Sequence, residues 1–173
     1  NNWRRRISFV DDLAGIGVAR YYLKAFEIKQ ERGRVPSVHV PGSGSLPSRL
    51  SCRIAPKIGL VVSLRPKIGK TATECLAGPL FEPLVVEDTA DSWGTGRVSY
   101  RKTAGRFRLA GRPVTIEQGP VRTVTRSVLL FGASRVIIDV VSFPSWPVLE
   151  YRFRVTWNEE RRRLKLRVPT ALA

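Results

Sequence analysis

A short acidic segment holds the residue types in this sequence that could do chemistry. Glu87, Asp88 and Asp91 are the one close group of carboxylates outside predicted turns and chain ends, and Trp93 follows them. Paired carboxyl groups can act as general acid and base, and an indole ring can stack on a ligand. Asp residues near Gly also bond backbone amides in turns, and a Trp after a buried strand also packs in a core. We expect these structural roles.

Metal and thiol chemistry has few residues to draw on. His39 is the single histidine, and the two cysteines, Cys52 and Cys75, stand in no CxxC spacing. A zinc site built by protein gathers several His, Cys or carboxylate ligands. We therefore predict no metal and no other cofactor in this chain. A disulfide between the cysteines stays open, but two free, half-buried thiols are favoured.

The chain is strongly basic, with 30 Lys and Arg against 14 Asp and Glu and a formal net charge of +16. Such a charge raises the question of nucleic-acid binding. In segments 97–102, 106–109 and 152–154, however, basic residues alternate with apolar ones, as on the solvated face of a strand. Residues 161–163, three consecutive arginines, form the one compact cluster, and no RNA- or DNA-binding motif accompanies them. We expect a basic surface rather than a nucleic-acid site.

Length and composition predict a globular chain. A protein of 173 residues, 43% of them hydrophobic, buries roughly 70% of its unfolded surface. No apolar run reaches the roughly 18 residues of a membrane-spanning segment, so we expect no membrane partner. The sequence contains no Met, even at position 1, so we expect it to be an internal piece of a longer protein. Residues 1–24 predict a strand pair that leads into a β-sandwich domain over residues 25–173.

Alternation of residue types is the main structural signal. In residues 149–157 every odd position is apolar or aromatic and every even position is charged or hydroxylated. A period of two predicts an antiparallel strand with one face in a core. No stretch of ten or more residues carries a helical stripe. Together these patterns predict an all-β antiparallel sandwich of roughly a dozen strands. The predicted strands are 6–10, 18–23, 25–30, 50–54, 60–64, 84–87, 98–102, 106–109, 114–118, 121–131, 135–143, 148–157 and 163–168.

Turn signals separate these strands. The sequence Pro-Lys-Ile-Gly occurs twice, at 56–59 and 66–69, with Pro and Gly where a tight turn requires them. Residues 132–134, Gly-Ala-Ser, predict a three-residue loop between two long strands. Residues 34–48, rich in Pro, Gly and Ser, predict an irregular loop.

Three motifs follow one another along the chain. Residues 87–94 read Glu-Asp-Thr-Ala-Asp-Ser-Trp-Gly, and residues 119–122 read Gly-Pro-Val-Arg at the start of a long strand. The third motif is Trp157-Asn-Glu159, followed by Leu164-Lys165 and Pro169. In order and spacing they resemble the C-terminal β-sandwich region of glycoside hydrolase family 38, the α-mannosidases. Thr156 and Asn158 depart from the Asp and His that the family often has there.

The resemblance implies both a fold and a function. The fold is an antiparallel β-sandwich of the galactose-mutarotase-like, or supersandwich, type. The parent enzyme would hydrolyse α-mannosides with retention and with zinc. Because the family's zinc ligands and nucleophilic Asp belong to earlier domains, the resemblance implies a non-catalytic domain here. It would pack against the catalytic and helical domains of the same chain, and zinc and the mannoside substrate would bind in the catalytic domain.

The candidate residues for carbohydrate binding or a domain interface are Asp88, Asp91, Trp93, Arg122, Trp157 and Glu159. We expect Trp157, at the apolar phase of its strand, to be core, and Arg122 to pair with a carboxylate. A retaining glycosidase needs two carboxyl groups about 5 Å apart, and the sequence offers no convincing pair. We therefore assign no catalytic residue. The alternative is a free-standing module that binds carbohydrate or, through its basic face, nucleic acid.

Overall fold

The structure, a computed structural model, describes residues 9, 11, 18–22, 49–90 and 100–171, with residue 68 described by its backbone alone. This part of the chain is all-β, as the alternation predicts. Within it no helix is long and apolar enough to cross a membrane. Its eleven strands are β1 (Leu50–Ile54), β2 (Val61–Ile68), β3 (Thr71–Ala72), β4 (Glu82–Glu87), β5 (Thr103–Arg106), β6 (Arg108–Leu109), β7 (Val114–Gln118), β8 (Thr123–Phe131), β9 (Ser134–Ser142), β10 (Leu149–Thr156) and β11 (Arg162–Arg167).

The strands form three antiparallel sheets. One sheet has the order β1-β2-β3, a second has the order β11-β4-β5, and the third is five-stranded. In the five-stranded sheet the order is β10-β9-β8, and both β6 and β7 pair with β8 on its other side. The prediction of an antiparallel β-sandwich of roughly a dozen strands is confirmed.

One hydrophobic core joins the three sheets. Val61 of β2, Val85 of β4 and Val136 and Ile138 of β9 all have 0% exposure and belong to a single cluster. Burial of such a side chain stabilises a fold by about 1.5–3 kcal/mol. Since these residues come from all three sheets, the sheets depend on one another for stability.

The β10 strand shows how alternation becomes packing. Tyr151 and Phe153 turn toward the core and stack on each other with ring centroids 5.9 Å apart, while Arg152 and Arg154 are exposed. Phe81 meets both aromatic rings edge-on, at 4.8 Å and 5.8 Å. Such aromatic pairs add about 0.5–1.5 kcal/mol beyond their buried area.

Pairing register corrects three of the predicted boundaries. β2 continues through Pro66, so the second Pro-Lys-Ile-Gly segment ends a strand, and the turn is Gly69 with Lys70. The β8–β9 turn has two residues rather than three, because Phe131 pairs directly with Ser134. Residues 100–102 of the predicted strand 98–102 are outside any strand, since pairing with β4 begins at Thr103.

The predicted strand 106–109 is divided between two sheets. Arg106 ends β5, which pairs with β4, whereas β6 begins at Arg108 and pairs with β8. Phe107 lies between them and points into the core at 8% exposure. The chain therefore passes from one sheet to the next at Phe107, whose side chain is buried between them.

The N-terminal part of the prediction is covered only in part. Residues 18–22 of the predicted strand 18–23 are described and belong to no strand. The predicted strands at 6–10 and 25–30 lie outside the described residues except for residue 9. The predicted loop at 34–48 lies outside them as well.

The cysteines occupy opposite sides of β2. Cys52 of β1 pairs with Leu64, and the Cys75 N–H donates to the Leu64 carbonyl at 2.9 Å from the other side. Two strand spacings separate them, about 10 Å, and disulfides need Cα atoms closer than about 7 Å. Both thiols are free and half-buried, as predicted. Burial raises the pKa of Cys52.

Glu74 ties the end of the first sheet together. One carboxylate oxygen accepts the N–H groups of Leu64 at 2.9 Å and Leu76 at 3.1 Å. The other accepts the Ser63 hydroxyl at 2.6 Å and Arg65 Nε at 3.1 Å. These bonds, with the Leu64 N–H foremost, lower the pKa of Glu74 from 4.5 to about 2.

The lowered pKa of Glu74 makes the stability of the fold depend on pH. Because the folded-state pKa is depressed, the stabilisation is fully present above pH 4.5 and is lost as pH falls toward 2. We expect Glu74→Gln to lower the melting temperature by several degrees at pH 5–7 and by progressively less toward pH 2. Thermal denaturation across this range, with Glu160→Gln as an exposed control, tests this. A deficit that is the same at every pH would contradict it.

Candidate functional site

The turn from β10 to β11 clamps the β8–β9 turn. Glu159 Oε1 accepts the Ala133 N–H at 3.0 Å and the Ser134 hydroxyl at 3.0 Å. The Asn158 N–H donates to Ser134 Oγ at 2.8 Å, and Asn158 Nδ2 donates to the Ala133 carbonyl at 3.1 Å. We call these four residues, with Trp157, the hairpin latch.

The Glu159 carboxylate is occupied by its own fold. Gly132 has φ +53°, and a Cβ there would lie 2.5 Å from Glu159 Oε1, so the turn and the carboxylate fit together only with glycine at this position. Arg162 approaches Oε2 at 3.4 Å, and the Glu159 side chain is 11% exposed. A carboxylate so enclosed acts as a structural acceptor.

We expect Glu159→Ala to lower the free energy of unfolding by about 1–2 kcal/mol, because it leaves the Ala133 N–H and the buried Ser134 hydroxyl without their acceptor. Urea denaturation measures the change, and Glu160→Ala, an exposed neighbour, serves as the control. Equal effects of the two substitutions would show that the hydrogen bonds of Glu159 in the hairpin latch do not contribute to the free energy of unfolding.

Trp157 packs against the core as predicted. It is half-buried and lies against the hydrophobic cluster, with its ring centroid 6.4 Å from that of Phe107. Val155, the preceding residue on the same face of β10, is 47% exposed. The apolar face of β10 therefore leaves the core at Val155 and is anchored again by Trp157.

Asp88 connects the end of β4 to β11. Its Oδ2 accepts from Arg163 at 2.9 Å and 3.0 Å, and its Oδ1 accepts the Ala90 N–H at 3.3 Å. Its own N–H donates to the Arg161 carbonyl at 2.8 Å. The bond to a backbone amide is the structural role expected from the sequence. Asp91 and Trp93 lie outside the described residues.

Arg122 is paired with a carboxylate, as predicted. It donates to Glu117 through Nε at 2.6 Å and through a terminal nitrogen at 3.0 Å, and its side chain is 13% exposed. The pair bridges the turn from β7 to β8. The hairpin latch lies beyond the other end of β8, about 30 Å away at roughly 3.3 Å per residue. The structure therefore does not bring Arg122 together with Trp157 and Glu159.

The basic segment 161–163 is divided by the fold. Arg162 pairs with Glu159 and lies 5.4 Å from the centre of the Phe131 ring. Arg163 pairs with Asp88 and lies 3.8 Å over the ring of Tyr100. Arg161 is exposed in a turn, with φ +50°. Two of the three guanidinium groups are thus engaged within the protein.

Asp139 is the centre of a network that the sequence analysis did not single out. It is 7% exposed and accepts from Arg126 at 2.7 Å and 2.8 Å and from Arg154 at 3.2 Å. Arg126 on β8 and Arg152 on β10 lie directly opposite it. In the sequence, the only sign of this network is a single acidic residue within the apolar run of β9. The pairing register of three strands is needed to show which arginines reach it.

Three carboxylates of the described residues have pKa values below their ordinary range. Hydrogen bonding from Arg126 lowers the pKa of Asp139, and hydrogen bonding from Arg152 lowers that of Glu150. The pKa of Glu74 is lowered as well. A general acid in a glycosidase requires the opposite change, a raised pKa. Every resolved carboxylate shift here runs against that role.

Potential zinc ligands are dispersed in the described part of the chain. There, no three residues of the His, Cys, Asp and Glu types are gathered as a metal site needs. Asp88, Asp139 and Glu159 each accept from an arginine through at least one oxygen. The resemblance assigns zinc to a preceding domain, and no ligand for it is assigned here.

An exposed tryptophan beside a cleft is a further feature that the sequence analysis did not single out. Trp146 is 52% exposed and meets Phe143 edge-on at 5.9 Å. The cleft beside it has a volume of about 330 Å³ and includes Ser51 and Ser142 in its lining. Pro144 and Pro147 flank the indole, and this pairing of prolines around an aromatic residue is the signal in the sequence.

Comparison of the chain with protein families and with curated proteins finds no match to either.

Proposed function

We propose that this chain is a non-catalytic β-sandwich domain of a retaining, zinc-dependent α-mannosidase. In this role it packs against the catalytic and helical domains of the same protein and completes the enzyme. The observation that carries the proposal is the hairpin latch. Trp157 and Glu159 match the third motif of the resemblance, and both hold one end of the sandwich together.

The other described motif residues, Asp88 and Arg122, also form contacts within the domain. Asp88 binds Arg163 and a turn amide, and Arg122 binds Glu117. Side chains occupied in this way stabilise a domain and leave the reaction to residues elsewhere. The lowered pKa values of Glu74, Asp139 and Glu150 agree with a domain that supplies no general acid.

An activity assay tests the non-catalytic assignment. We expect the purified chain to hydrolyse an aryl α-mannoside no faster than a mock preparation, with or without added zinc. The reason is that Glu74, Asp139 and Glu150 have lowered pKa values and each pairs with an arginine, so none of them supplies a general acid. Hydrolysis well above the mock preparation would contradict the assignment.

The reading frame that encodes the chain tests the parent enzyme. We expect sequence determination on its 5′ side to show an upstream segment with a His-x-Asp zinc motif. A continuous frame without such a segment would overturn the α-mannosidase proposal, and the fold described above would be unaffected.

Trp146 favours a second candidate, a module that binds carbohydrate. Its exposed indole can stack on the apolar face of a sugar, and the hydroxyls of Ser51 and Ser142 line the same cleft. Titration with methyl α-mannoside, followed by tryptophan fluorescence, tests this. A saturable change that Trp146→Ala abolishes and Trp157→Phe retains would support the second candidate. A flat titration would remove it.

A further inference from the structure

A cleft beside the β1–β2 turn has an apolar floor and a cationic rim. It lies between the β1–β2 turn and the β5–β6 segment and has a volume of about 640 Å³. Leu60, Phe107 and Leu129 form its floor, at 4%, 8% and 1% exposure. Ligand sites commonly have volumes of about 300–1,000 Å³ and mostly apolar walls with a few polar groups. We call it the Lys57–Arg108 cleft.

The charge of this cleft is not balanced. Lys57, Arg106 and Arg108 line it with one carboxylate, Glu82, so the lining carries a net charge of +2 (three positive, one negative). Glu82 is already engaged, with Arg106 at 3.3 Å and with Arg167 outside the cleft at 2.5 Å. Neither Lys57 nor Arg108 forms an ion pair with a described carboxylate. Low-dielectric walls of one charge sign concentrate counter-ions.

We propose that the Lys57–Arg108 cleft binds a small organic anion that has one phosphate or carboxylate group on an apolar body. The apolar body would contact Ile58 and Leu109, the more exposed apolar residues of the lining, above the buried floor. Its own apolar surface would thereby be removed from water, which favours binding. The oxyanion would lie at the rim. The planar guanidinium of Arg108 suits such a group because it donates two parallel hydrogen bonds, and the Lys57 ammonium adds a point charge.

This binding is independent of the mannosidase proposal, because it uses none of the motif residues. It also differs from nucleic-acid binding, since the two unpaired cations line a single cleft with an apolar floor rather than a row along the surface. The oxyanion can be a phosphate or a carboxylate, and the probes below distinguish the two.

The test is a titration of the full chain followed by amide NMR spectra. The probes are phenyl phosphate and benzoate, with inorganic phosphate and benzyl alcohol as the two halves of the ligand. We expect at least one aromatic anion to bind at least tenfold more tightly than either half, and to shift amides at residues 57–60 and 106–109. The tighter of the two aromatic anions identifies the oxyanion.

The chain offers a matched control for the substitutions. Lys67 occupies the same place as Lys57 in the second Pro-Lys-Ile-Gly segment, is exposed and does not line the cleft. We expect the double variant Lys57→Gln with Arg108→Gln to weaken binding about tenfold or more. Lys67→Gln with Arg49→Gln should leave it unchanged. Equal losses in the two variants, phosphate alone binding as tightly as phenyl phosphate, or no binding of either aromatic anion would overturn the proposal.

Discussion

Trp157→Ala is expected to lower the free energy of unfolding by about 3 kcal/mol. The indole is half-buried against the core beside Phe107, and truncation of a packed Trp to Ala costs about 3–5 kcal/mol when the site cannot collapse. We take the lower end because Trp157 is not fully enclosed. For a domain of this size, about 3 kcal/mol corresponds to a fall of about 6–12 °C in melting temperature.

Trp146→Ala is the matched control. Trp146 is 52% exposed, so this substitution removes the same kind of ring from the surface instead of from the core. We expect it to change the melting temperature by about 2 °C or less. Circular dichroism during heating measures both variants. If Trp157→Ala has as small an effect as Trp146→Ala, the ring is not part of the core, and a ligand-binding role for Trp157 becomes the better explanation.

Gly59→Ala is expected to lower the free energy of unfolding by about 2–5 kcal/mol. Gly59 has φ +71°, and a Cβ there would lie 2.5 Å from Leu109 Cδ1 and 3.0 Å from Ser127 Cβ. The left-handed backbone costs a non-glycine residue about 1–2 kcal/mol, and overpacking adds about 1–3 kcal/mol. Leu109 can turn aside, but Ser127, at 1% exposure in the middle of β8, cannot.

Gly69→Ala isolates the backbone cost. Gly69 has φ +63° and nothing within 4 Å of its Cβ position. We therefore expect Gly69→Ala to cost about 1 kcal/mol, clearly less than Gly59→Ala, in parallel urea denaturations. Equal costs would mean that Ser127 does not limit the space at Gly59.

Trp157→Ala and Gly59→Ala alter positions that hold the sheets to one another. Trp157 anchors β10, and Gly59 allows the β1–β2 turn to approach β8. A domain that completes a larger enzyme must keep such contacts intact to present a fixed surface to its neighbours. The function we propose therefore requires a stable sandwich.

Strand positions were largely accessible from the sequence. β1 and β7 have their predicted bounds. β8 begins two residues later than predicted, and β9, β10 and β11 differ from their predicted strands by one residue at each end. The reason is that a half-buried strand needs side chains of alternating type. The expected roles of Trp157 and Arg122 followed from the same local signals, namely the apolar phase of β10 and the start of β8.

Pairing between strands was not accessible in the same way. Asp139 lies opposite Arg126 and Arg152 only because β8, β9 and β10 align in one register. The division of residues 106–109 between two sheets depends on burial of Phe107. Register and sheet membership result from contacts between distant segments, and a local pattern of residue types carries no information about them.

The two Pro-Lys-Ile-Gly segments show which properties follow from local sequence and which depend on tertiary structure. The sequence by itself determined that both glycines suit a turn, and both have positive φ. Tertiary structure decided that the first segment turns at its Gly beside Ser127, whereas the second continues β2 as far as Ile68. It also decided that Lys57 lines a cleft and that Lys67 faces solvent. Identical residues acquired different roles because turn chemistry acts over four residues, whereas burial and charge depend on which distant strands are packed beside them.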